Sequence, residues 1–387
     1  MNKIISVLAL FMLAVAAPSC NAHPQRSAES ERPLFTPAPG FPLNLGSRPN
    51  DIAIGDWNKD GKLDVATCNL GNTVTILLGN GRNGFTPAAG SPINLAATMI
   101  AVGDVNNDGN PDLALTEHDS FGVAVLLGTG DGRFAATPLS PFAAHQGTKA
   151  HNHGLTLSDL NEDGNLDIAT SNQDDNSVSV LLGNGRGSFA QAVGSPFAVG
   201  RAPYPHAIGD VNKDNHLDIV TPNVGSNNVT VLLGNGRGSF TAAAKSPYAV
   251  ETRPYYIAIG DVSGDGKPDL ITTHDDISLV STLLGDGRGG FTLAPKSPFD
   301  LGLRAFKLVA FEVNKDARMD IIIGTEASDS VTVLLGNDLG GYTPAAGSPY
   351  RAGRNPRIVI GDVNGDGKAD IITANNGSND ITVLSGQ

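Results

Sequence analysis

The 387-residue chain contains 47 glycines and few aromatic residues, and it carries a formal net charge of −13. Such a negative charge would normally suggest a basic partner or adaptation to acid, and the lack of helical periodicity beyond the amino terminus favours a core built from many small sheets. Only Cys20 and Cys68 are present, which excludes a disulfide within the folded part of the chain.

The amino terminus has the pattern of a secretory signal. Lys3 precedes an apolar run from Ile4 to Ala17 that is too short to span a bilayer comfortably. The run ends in AAPSC, which resembles the bacterial lipobox and implies cleavage before Cys20 and acylation of its sulfur. Residues 1–20 are therefore predicted to be a lipoprotein signal peptide, and residues 21–32 a polar tether.

A second cleavage scheme stays open, because Ala17 stands where Leu is commonest in lipobox signals. Ordinary cleavage after Ala22 would release a periplasmic or secreted protein. Lipidation would instead give an exported cell-envelope lipoprotein, at the outer membrane or cell surface, that touches the membrane only through an anchor at Cys20.

The pattern DxNxDGxxD, with close variants, occurs seven times after the tether. Its copies begin at Asp56, Asp104, Asp159, Asp210, Asp261, Glu312 and Asp362. The steps of 48, 55, 51, 51, 51 and 50 residues lie in the range of one propeller blade. The repeat therefore predicts seven equivalent structural units.

Each unit reads as four short strands. Around the loop that begins at Asp210, HAIGD precedes the loop, and LDIVT, NNVTVLLGNG and FTAAAKSP follow it. These runs are apolar or alternating and are bounded by turn residues. A β-solenoid or a row of sandwich domains would also repeat, so the chain ends have to distinguish the alternatives.

The two ends of the chain complement each other. The last unit stops after its third strand, whereas the segment FTPAPGFP at Phe35 to Pro42 supplies a fourth strand ahead of the first loop. Pairing these ends removes two exposed sheet edges at once. We therefore predict an all-β fold over residues 33–387, a seven-bladed β-propeller with four-stranded blades in which the N-terminal strand closes the last blade.

Each repeat is also a candidate Ca²⁺ loop. Oxygen donors at positions 1, 3, 5 and 9 and the main-chain carbonyl of position 7 are the hard ligands that Ca²⁺ prefers, and Gly at position 6 permits the sharp turn. One such motif could be a solvated Asx turn, but seven phased copies favour a metal. The predicted ligands of the six regular loops are Asp56, Asn58, Asp60, Lys62 and Asp64; Asp104, Asn106, Asp108, Asn110 and Asp112; Asp159, Asn161, Asp163, Asn165 and Asp167; Asp210, Asn212, Asp214, His216 and Asp218; Asp261, Ser263, Asp265, Lys267 and Asp269; and Asp362, Asn364, Asp366, Lys368 and Asp370.

The sixth loop departs from the pattern and is expected to bind Ca²⁺ most weakly. Ala317 replaces the turn glycine there, at a position that needs a positive φ. In the fourth loop Asn215 replaces the glycine, but Asn tolerates that conformation better. The weak candidate ligands of the sixth loop are Glu312, Asn314, Asp316 and Asp320.

From Arg32 to Gln387 these repeats resemble the FG-GAP repeats of the integrin α-chain propeller and the bacterial VCBS repeats. The resemblance implies a Ca²⁺ hairpin between the first two strands of each blade, with about six calcium sites and a doubtful seventh. It also implies that all loops share one face, so that ligands are met on the other. Three carboxylates per loop account for 21 of the 39 acidic residues, so metal ligands explain most of the acidity.

Three further features have structural interpretations. Cys68 ends a strand without a neighbouring His and is predicted to be a packed thiol. The stretch Gly234 to Phe240 looks like a phosphate cradle but precedes a strand, so it is predicted to be a hairpin. Arginines that recur in these hairpins are expected to compensate the acidic loops and not to bind nucleic acid; they are Arg82, Arg133, Arg186, Arg237 and Arg288.

Departures from repetition concentrate on the face opposite the loops. Aromatic rings, guanidinium groups and amides there suit sugars or acidic glycans. An insertion between the second and third loops, which contains His145, Lys149, His151 and His153, is a candidate for specificity. The predicted ligand-binding residues are His153, Tyr204, His206, Arg253, Tyr255, Phe306, Arg304, Arg354, Asn172, Asn223 and His274.

The preferred hypothesis is an exported, monomeric, calcium-binding propeller that binds a glycan or an envelope or extracellular protein at the cell envelope. The enzyme hypothesis is a polysaccharide lyase or hydrolase with His151, His153, His206 and Arg253 around the substrate. The third hypothesis is a passive scaffold, in which the aromatic residues plug the channel mouth and the Asn residues satisfy turns.

Overall fold

The computed structural model describes residues 32–117, 119–144, 151–325, 328–337 and 340–387, and every regular element in these ranges is a strand. Seven antiparallel sheets, each with four strands in sequential order, form a ring, so the predicted seven-bladed propeller is confirmed. The predicted signal, Cys20, nearly all of the tether, and His145 and Lys149 lie outside the described residues. No helix in the described ranges is long and apolar enough to cross a membrane.

The first strand of each blade lies innermost and leads into an acidic loop, and the second strand follows that loop. The first strands are Pro49–Gly55, Met99–Gly103, Asn152–Ser158, Ala207–Gly209, Pro254–Gly260, Ala305–Phe311 and Pro356–Gly361. The second strands are Asp64–Asn69, Asp112–Thr116, Asp167–Asn172, Asp218–Asn223, Asp269–His274, Asp320–Thr325 and Asp370–Asn375.

The third and fourth strands form the outer part of each blade. The third strands are Thr73–Gly79, Gly122–Gly128, Ser177–Gly183, Asn228–Gly234, Leu279–Gly285, Ser330–Asn337 and Asp380–Gly386. The fourth strands are Phe85–Pro87, Phe134–Ala136, Phe189–Gln191, Phe240–Ala242, Phe291–Leu293, Gly341–Pro344 and, for the seventh blade, Phe35–Pro37.

The second strands are buried along their whole length. Neighbouring blades cover both faces of each sheet, so these strands are continuous apolar runs such as LDIVT and do not alternate. Cys68 belongs to this layer and is fully buried, which confirms the packed thiol.

The N-terminal strand closes the seventh blade as predicted. Phe35 pairs with Gly386 and Pro37 with Leu384 in an antiparallel register. The Gln387 amide also donates to the Leu34 carbonyl at 3.0 Å. Residues 32–387 therefore contain all strands of all seven blades.

Each blade also has a two-residue fifth strand that the sequence did not predict. It pairs with the beginning of the third strand and follows a Ser-Pro turn, or Phe-Pro in the seventh blade. The serine hydroxyl oxygen accepts a hydrogen bond from a main-chain amide of the third strand. For example, the Ile76 amide donates to Ser91 at 2.9 Å, and the Val231 amide donates to Ser246 at 2.9 Å. The fifth strands are Leu43–Asn44, Ile93–Asn94, Phe142–Ala143, Phe197–Ala198, Tyr248–Ala249, Phe299–Asp300 and Tyr350–Arg351.

Two faces follow from this topology. The loop face carries the seven acidic loops and the hairpins between third and fourth strands. The rim face carries the beginnings of the first strands and the turns between second and third strands. Residues at the two ends of one first strand, such as Asn50 and Gly55, therefore belong to opposite faces.

Candidate functional site

The same pattern of hydrogen bonds recurs within most of the acidic loops. In the first loop, Asp56 accepts the amides of Asp60 at 3.0 Å and Gly61 at 2.9 Å, and Asn58 accepts the amide of Asp60 at 3.1 Å. Asp60 in turn accepts the amide of Lys62 at 3.0 Å. The same four bonds occur in the second, third, fourth and seventh loops. These Asx bonds hold the oxygens of positions 1, 3 and 5 around one tight turn.

The carboxylate at position 9 is buried in every loop. Asp64 accepts the Trp57 amide at 2.9 Å and the Gly79 amide at 2.7 Å, and thereby ties the loop to the third strand. Burial raises the pKa of this carboxyl against the lowering effect of the two amides. The pKa rises to about 6 for Asp64, Asp218 and Asp320 and to about 7 for Asp112 and Asp167. Burial also raises the pKa of Asp269 and Asp370.

The sixth loop is the irregular one. Ala317 has a φ of 66°, which confirms that this position needs the left-handed conformation. Glu312 accepts the amides of Lys315 and Asp316 through one oxygen. Within the described residues no bond joins the Ala317 amide to Glu312, whereas Gly61 makes this bond to Asp56 in the first loop. With Glu312 in place of Asp and Ala317 in place of Gly, the hydrogen bonds of this turn thus differ from those of the first loop.

The loops offer the donor types that Ca²⁺ takes. Across the described ranges, no three His, Cys, Asp or Glu side chains converge as a metal-binding group. Each regular loop nevertheless presents two carboxylates, one amide or hydroxyl oxygen and main-chain carbonyls, and each position 9 oxygen that accepts one amide keeps a second lone pair. The donor chemistry fits Ca²⁺, which would link the first two strands of a blade when bound.

The predicted aromatic residues on the rim face form one continuous ladder across blades three to six, and an arginine of blade seven lies at its end. The rings of His153 and Tyr204 are stacked with centroids 4.1 Å apart, and Tyr204 lies 4.6 Å from Tyr255. Phe306 follows at 5.3 Å, and the Arg357 guanidinium lies 3.5 Å above the Phe306 ring. His153 and Tyr204 therefore pack face to face, with an interplanar angle of 15°, whereas the planes of the next two pairs are tilted by 42° and 59°.

The three arginines predicted to bind a ligand on the rim are paired with carboxylates. Arg253 contacts Asp275 and lies 3.3 Å from Asp276, while Arg304 lies 2.5 Å from Asp276 and 3.5 Å from Asp275. Arg354 lies 3.8 Å from an oxygen of Asp329. The expected guanidinium groups are thus present on the rim, but their charge is locally balanced, which makes the rim less suited to acidic glycans than the sequence predicted.

Four predicted ligand residues are buried in the blades. His206 lies between the hydroxyls of Thr156 and Ser171, each 2.8 Å from a ring nitrogen. His274 is fully buried, 2.9 Å from the Thr252 carbonyl and 2.8 Å from the Ser281 hydroxyl. Burial lowers the pKa of both histidines to about 4, so both are neutral at pH 7.

The other two are Asn172 and Asn223. Each amide group donates to the third strand of its own blade, from Asn172 to Ser177 and Ser179, and from Asn223 to Asn228 and Thr230. Equivalent bonds in the first and seventh blades make this a repeated turn device. A ligand on the rim would meet these asparagines only through the residues that cover them.

His151 is also engaged. Its two ring nitrogens lie 3.2 Å from Asp119 and 3.3 Å from Asp174. The imidazole therefore joins the turns of the second and third blades.

The sequence missed a charged contact within the ring. Lys307 Nζ lies 2.6 Å from Asp51 Oδ1 and links the first strands of blades six and one. Asp51 lies on an inner strand, at a position where the second blade has the apolar residue Met99. This unusual charge was the signal in the sequence that could have indicated the contact.

Comparisons with known proteins agree with this architecture. The FG-GAP-like repeat matches residues 56–115, 104–170, 159–221, 223–272 and 312–373, well over half of the chain. No curated protein sequence matches significantly.

Three solved structures illustrate the range of similar propellers, and their low identity supports the fold alone. A lectin from Agrocybe aegerita that recognises non-reducing terminal N-acetylglucosamine is 20% identical, with 87% of each chain covered and a TM-score of 0.56. BBS1N, solved in complex with ARL6DN, is 11% identical over 92% of this chain and 98% of its own, with a TM-score of 0.62. A periplasmic gluconolactonase from Pseudomonas aeruginosa is 15% identical over 78% and 86%, with a TM-score of 0.56. With seven phased loops, a closed ring of seven blades and the family match, the chain belongs to the FG-GAP-like repeat family.

Proposed function

We propose that this protein is an exported, monomeric, calcium-stabilised binding propeller that recognises a glycan or a protein through its rim face at the cell envelope. The supporting observation is that the groups required by the enzyme hypothesis are already engaged. His206 is buried between two hydroxyls, and His151 is held between two carboxylates. His153 is stacked on Tyr204, and Arg253 is paired with Asp275. A general acid or base needs a lone pair or proton within reach of substrate, and this rim favours binding over turnover.

The rim favours a neutral, hydroxyl-rich ligand or a protein surface. Paired guanidinium and carboxylate groups can donate and accept hydrogen bonds without attracting one sign of charge. The packed rings of His153, Tyr204, Tyr255 and Phe306 lie on the same face as these guanidinium and carboxylate groups. Structural neighbours include both a sugar-recognising lectin and a gluconolactonase, so the comparisons leave binding and catalysis open and the engaged side chains decide our choice.

Calcium has a structural role in this proposal. Six regular loops would each hold one ion through positions 1, 3, 5 and 9 and the carbonyl of position 7, with the sixth loop weakest. The ion would join the first and second strands of a blade, far from the rim ligand. Lipidation of Cys20 would hold the protein at the envelope, and cleavage after Ala22 would release it.

Retention on immobilised glycans and envelope polysaccharides, measured in Ca²⁺, tests the binding proposal. Arg253→Gln and Arg304→Gln remove exposed rim donors, and Arg237→Gln on the loop face is the matched control. We expect each rim variant to weaken retention about tenfold, as for loss of one charged hydrogen bond, and the control to bind normally. Retention that is equal in all variants would place the ligand elsewhere. Release of product that stops in His153→Ala would establish the enzyme instead.

A further inference from the structure

The outer part of the loop face carries a basic patch. Arg186, Arg237 and Arg288 occupy equivalent hairpin positions in three consecutive blades, and Lys245 and Lys296 lie on neighbouring outer turns. All five side chains are exposed. Asp286 is the one carboxylate in these three hairpins, and the positive charges of Lys245 and Arg288 help to lower its pKa.

These arginines were expected to compensate the acidic loops, and the hairpin of Arg237 does lie beside the third loop, where Gly236 is next to Glu162. Among the described residues, none of Arg186, Arg237 and Arg288 forms an ion pair with a loop carboxylate. In the second blade Asp131 takes the equivalent position, and Arg133, two residues later, pairs with it at 3.4 Å. Arg186 and Arg237, unlike the rim arginines Arg253 and Arg304, form no ion pair within the described residues and can therefore meet an external anion.

The chain enters the propeller on this same face. Phe35 pairs with Gly386, and the Gly386 amide donates to Asp370 of the seventh acidic loop at 3.0 Å. Arg32 therefore lies at the loop-face end of the seventh blade. The described chain therefore begins on the face that carries the basic patch.

We propose that the loop face lies against an anionic membrane surface, with the basic patch facing lipid headgroups and the rim face directed away. Residues 21–31 span at most about 40 Å, so an anchor at Cys20 would keep the loop face close to the bilayer. Clustered basic side chains beside a membrane attract its anionic headgroups within a Debye length. This orientation leaves the rim free for its ligand.

The inference rests on the proposed calcium loading. The carboxylates at positions 1 and 5 lie on the loop face, and without bound cations they would repel an anionic surface. Calcium binding is therefore measured separately, by calorimetry, before any membrane experiment. A protein that binds Ca²⁺ but not vesicles contradicts only the membrane inference.

The test is sedimentation of residues 32–387, which contain all seven complete blades and no anchor, with vesicles in Ca²⁺. One set of vesicles holds equal parts of phosphatidylglycerol and phosphatidylcholine, and the other only phosphatidylcholine. We expect binding to the first set alone. The double variant Arg186→Gln/Arg237→Gln should lower the partition coefficient about 30-fold, from the usual contribution of a basic residue near a charged surface.

The control is Arg201→Gln/Arg351→Gln, which removes two exposed arginines from the rim face and should leave partition unchanged. Equal loss in both double variants would mean that net charge acts without orientation and would overturn the proposal. Binding to pure phosphatidylcholine, or binding to soluble polygalacturonate but to neither set of vesicles, would overturn it too.

Discussion

Lys307 Nζ and Asp51 Oδ1 are 2.6 Å apart although 256 residues separate them in the chain. The pair joins the first strand of blade six to that of blade one, past blade seven. Both side chains are largely buried, at 19% and 13% exposure. Asp51 also accepts the Ile100 amide at 3.2 Å, so one carboxylate connects three blades.

We expect Lys307→Met to destabilise the propeller by about 3 kcal/mol, because it leaves the carboxylate of Asp51 buried without its partner. Urea denaturation measures the effect. Lys307→Met/Asp51→Leu should recover much of the loss, since replacing both charges removes the uncompensated group. A double variant less stable than the sum of the single variants would show that the pair is not coupled in this way.

Ala317→Gly should stabilise the protein by about 1 kcal/mol, because Ala317 has a φ of 66° that Gly adopts without strain. The matched control is Gly266→Ala in the fifth loop, where φ is 79° and no atom lies within 4 Å of an added Cβ. That change should destabilise by a similar amount through conformation alone. Urea denaturation midpoints measure both effects. A midpoint that falls in Ala317→Gly, or that rises in Gly266→Ala, would refute the strain argument.

Chelation of Ca²⁺ should lower the melting temperature reversibly. A site filled at about a hundred times its Kd adds about 2.7 kcal/mol to the free energy of unfolding. Calorimetric scans in EGTA, then with Ca²⁺ restored, measure the change, and Mg²⁺ serves as the control ion. An unchanged melt in EGTA would remove calcium from the structural account.

His206 should make stability fall with acidity. Its folded pKa of about 4 lies below the unfolded value of about 6.5, so the unfolded chain binds more protons between these values. Stability contributed by the neutral ring is complete above about pH 6.5 and is lost as pH falls towards about 4, by up to about 3 kcal/mol.

The buried position 9 carboxylates have raised pKa values and act in the opposite direction, so the comparison must be with a variant. His206→Gln should raise the urea midpoint at about pH 5 relative to that at about pH 7, when the same comparison is made with the parent chain, because the variant lacks the group that destabilises the fold on acidification. An identical pH dependence in the variant and the parent chain would show that His206 does not titrate on unfolding.

Repetition made much of the architecture predictable. Seven acidic loops, their spacing and the complementary ends at Phe35 and Gln387 identified the blades and the clasp, because each blade is specified by local runs of about fifty residues. The left-handed conformation at Ala317 followed from the same repeat. The fifth strands were missed because two residues after a Ser-Pro turn carry no periodic signal.

The rim was predicted less well. Sequence position placed Tyr204, Tyr255 and Phe306 on adjacent blades correctly, but it could not show that these rings contact one another. It also could not show that Asn172 and His274 turn inward to bond with the third strand. Side-chain direction at a strand end depends on local turn geometry, which the spacing of residues does not report.

The sequence by itself therefore determined the all-β class, the number of blades and the positions of the acidic loops. Only the tertiary structure decided which charges are paired, namely Lys307 with Asp51 and Arg253 with Asp275, and which remain available, as in Arg186 and Arg237. The physical reason is that ring closure brings together residues from different blades, and these contacts are independent of the local pattern that specifies each blade.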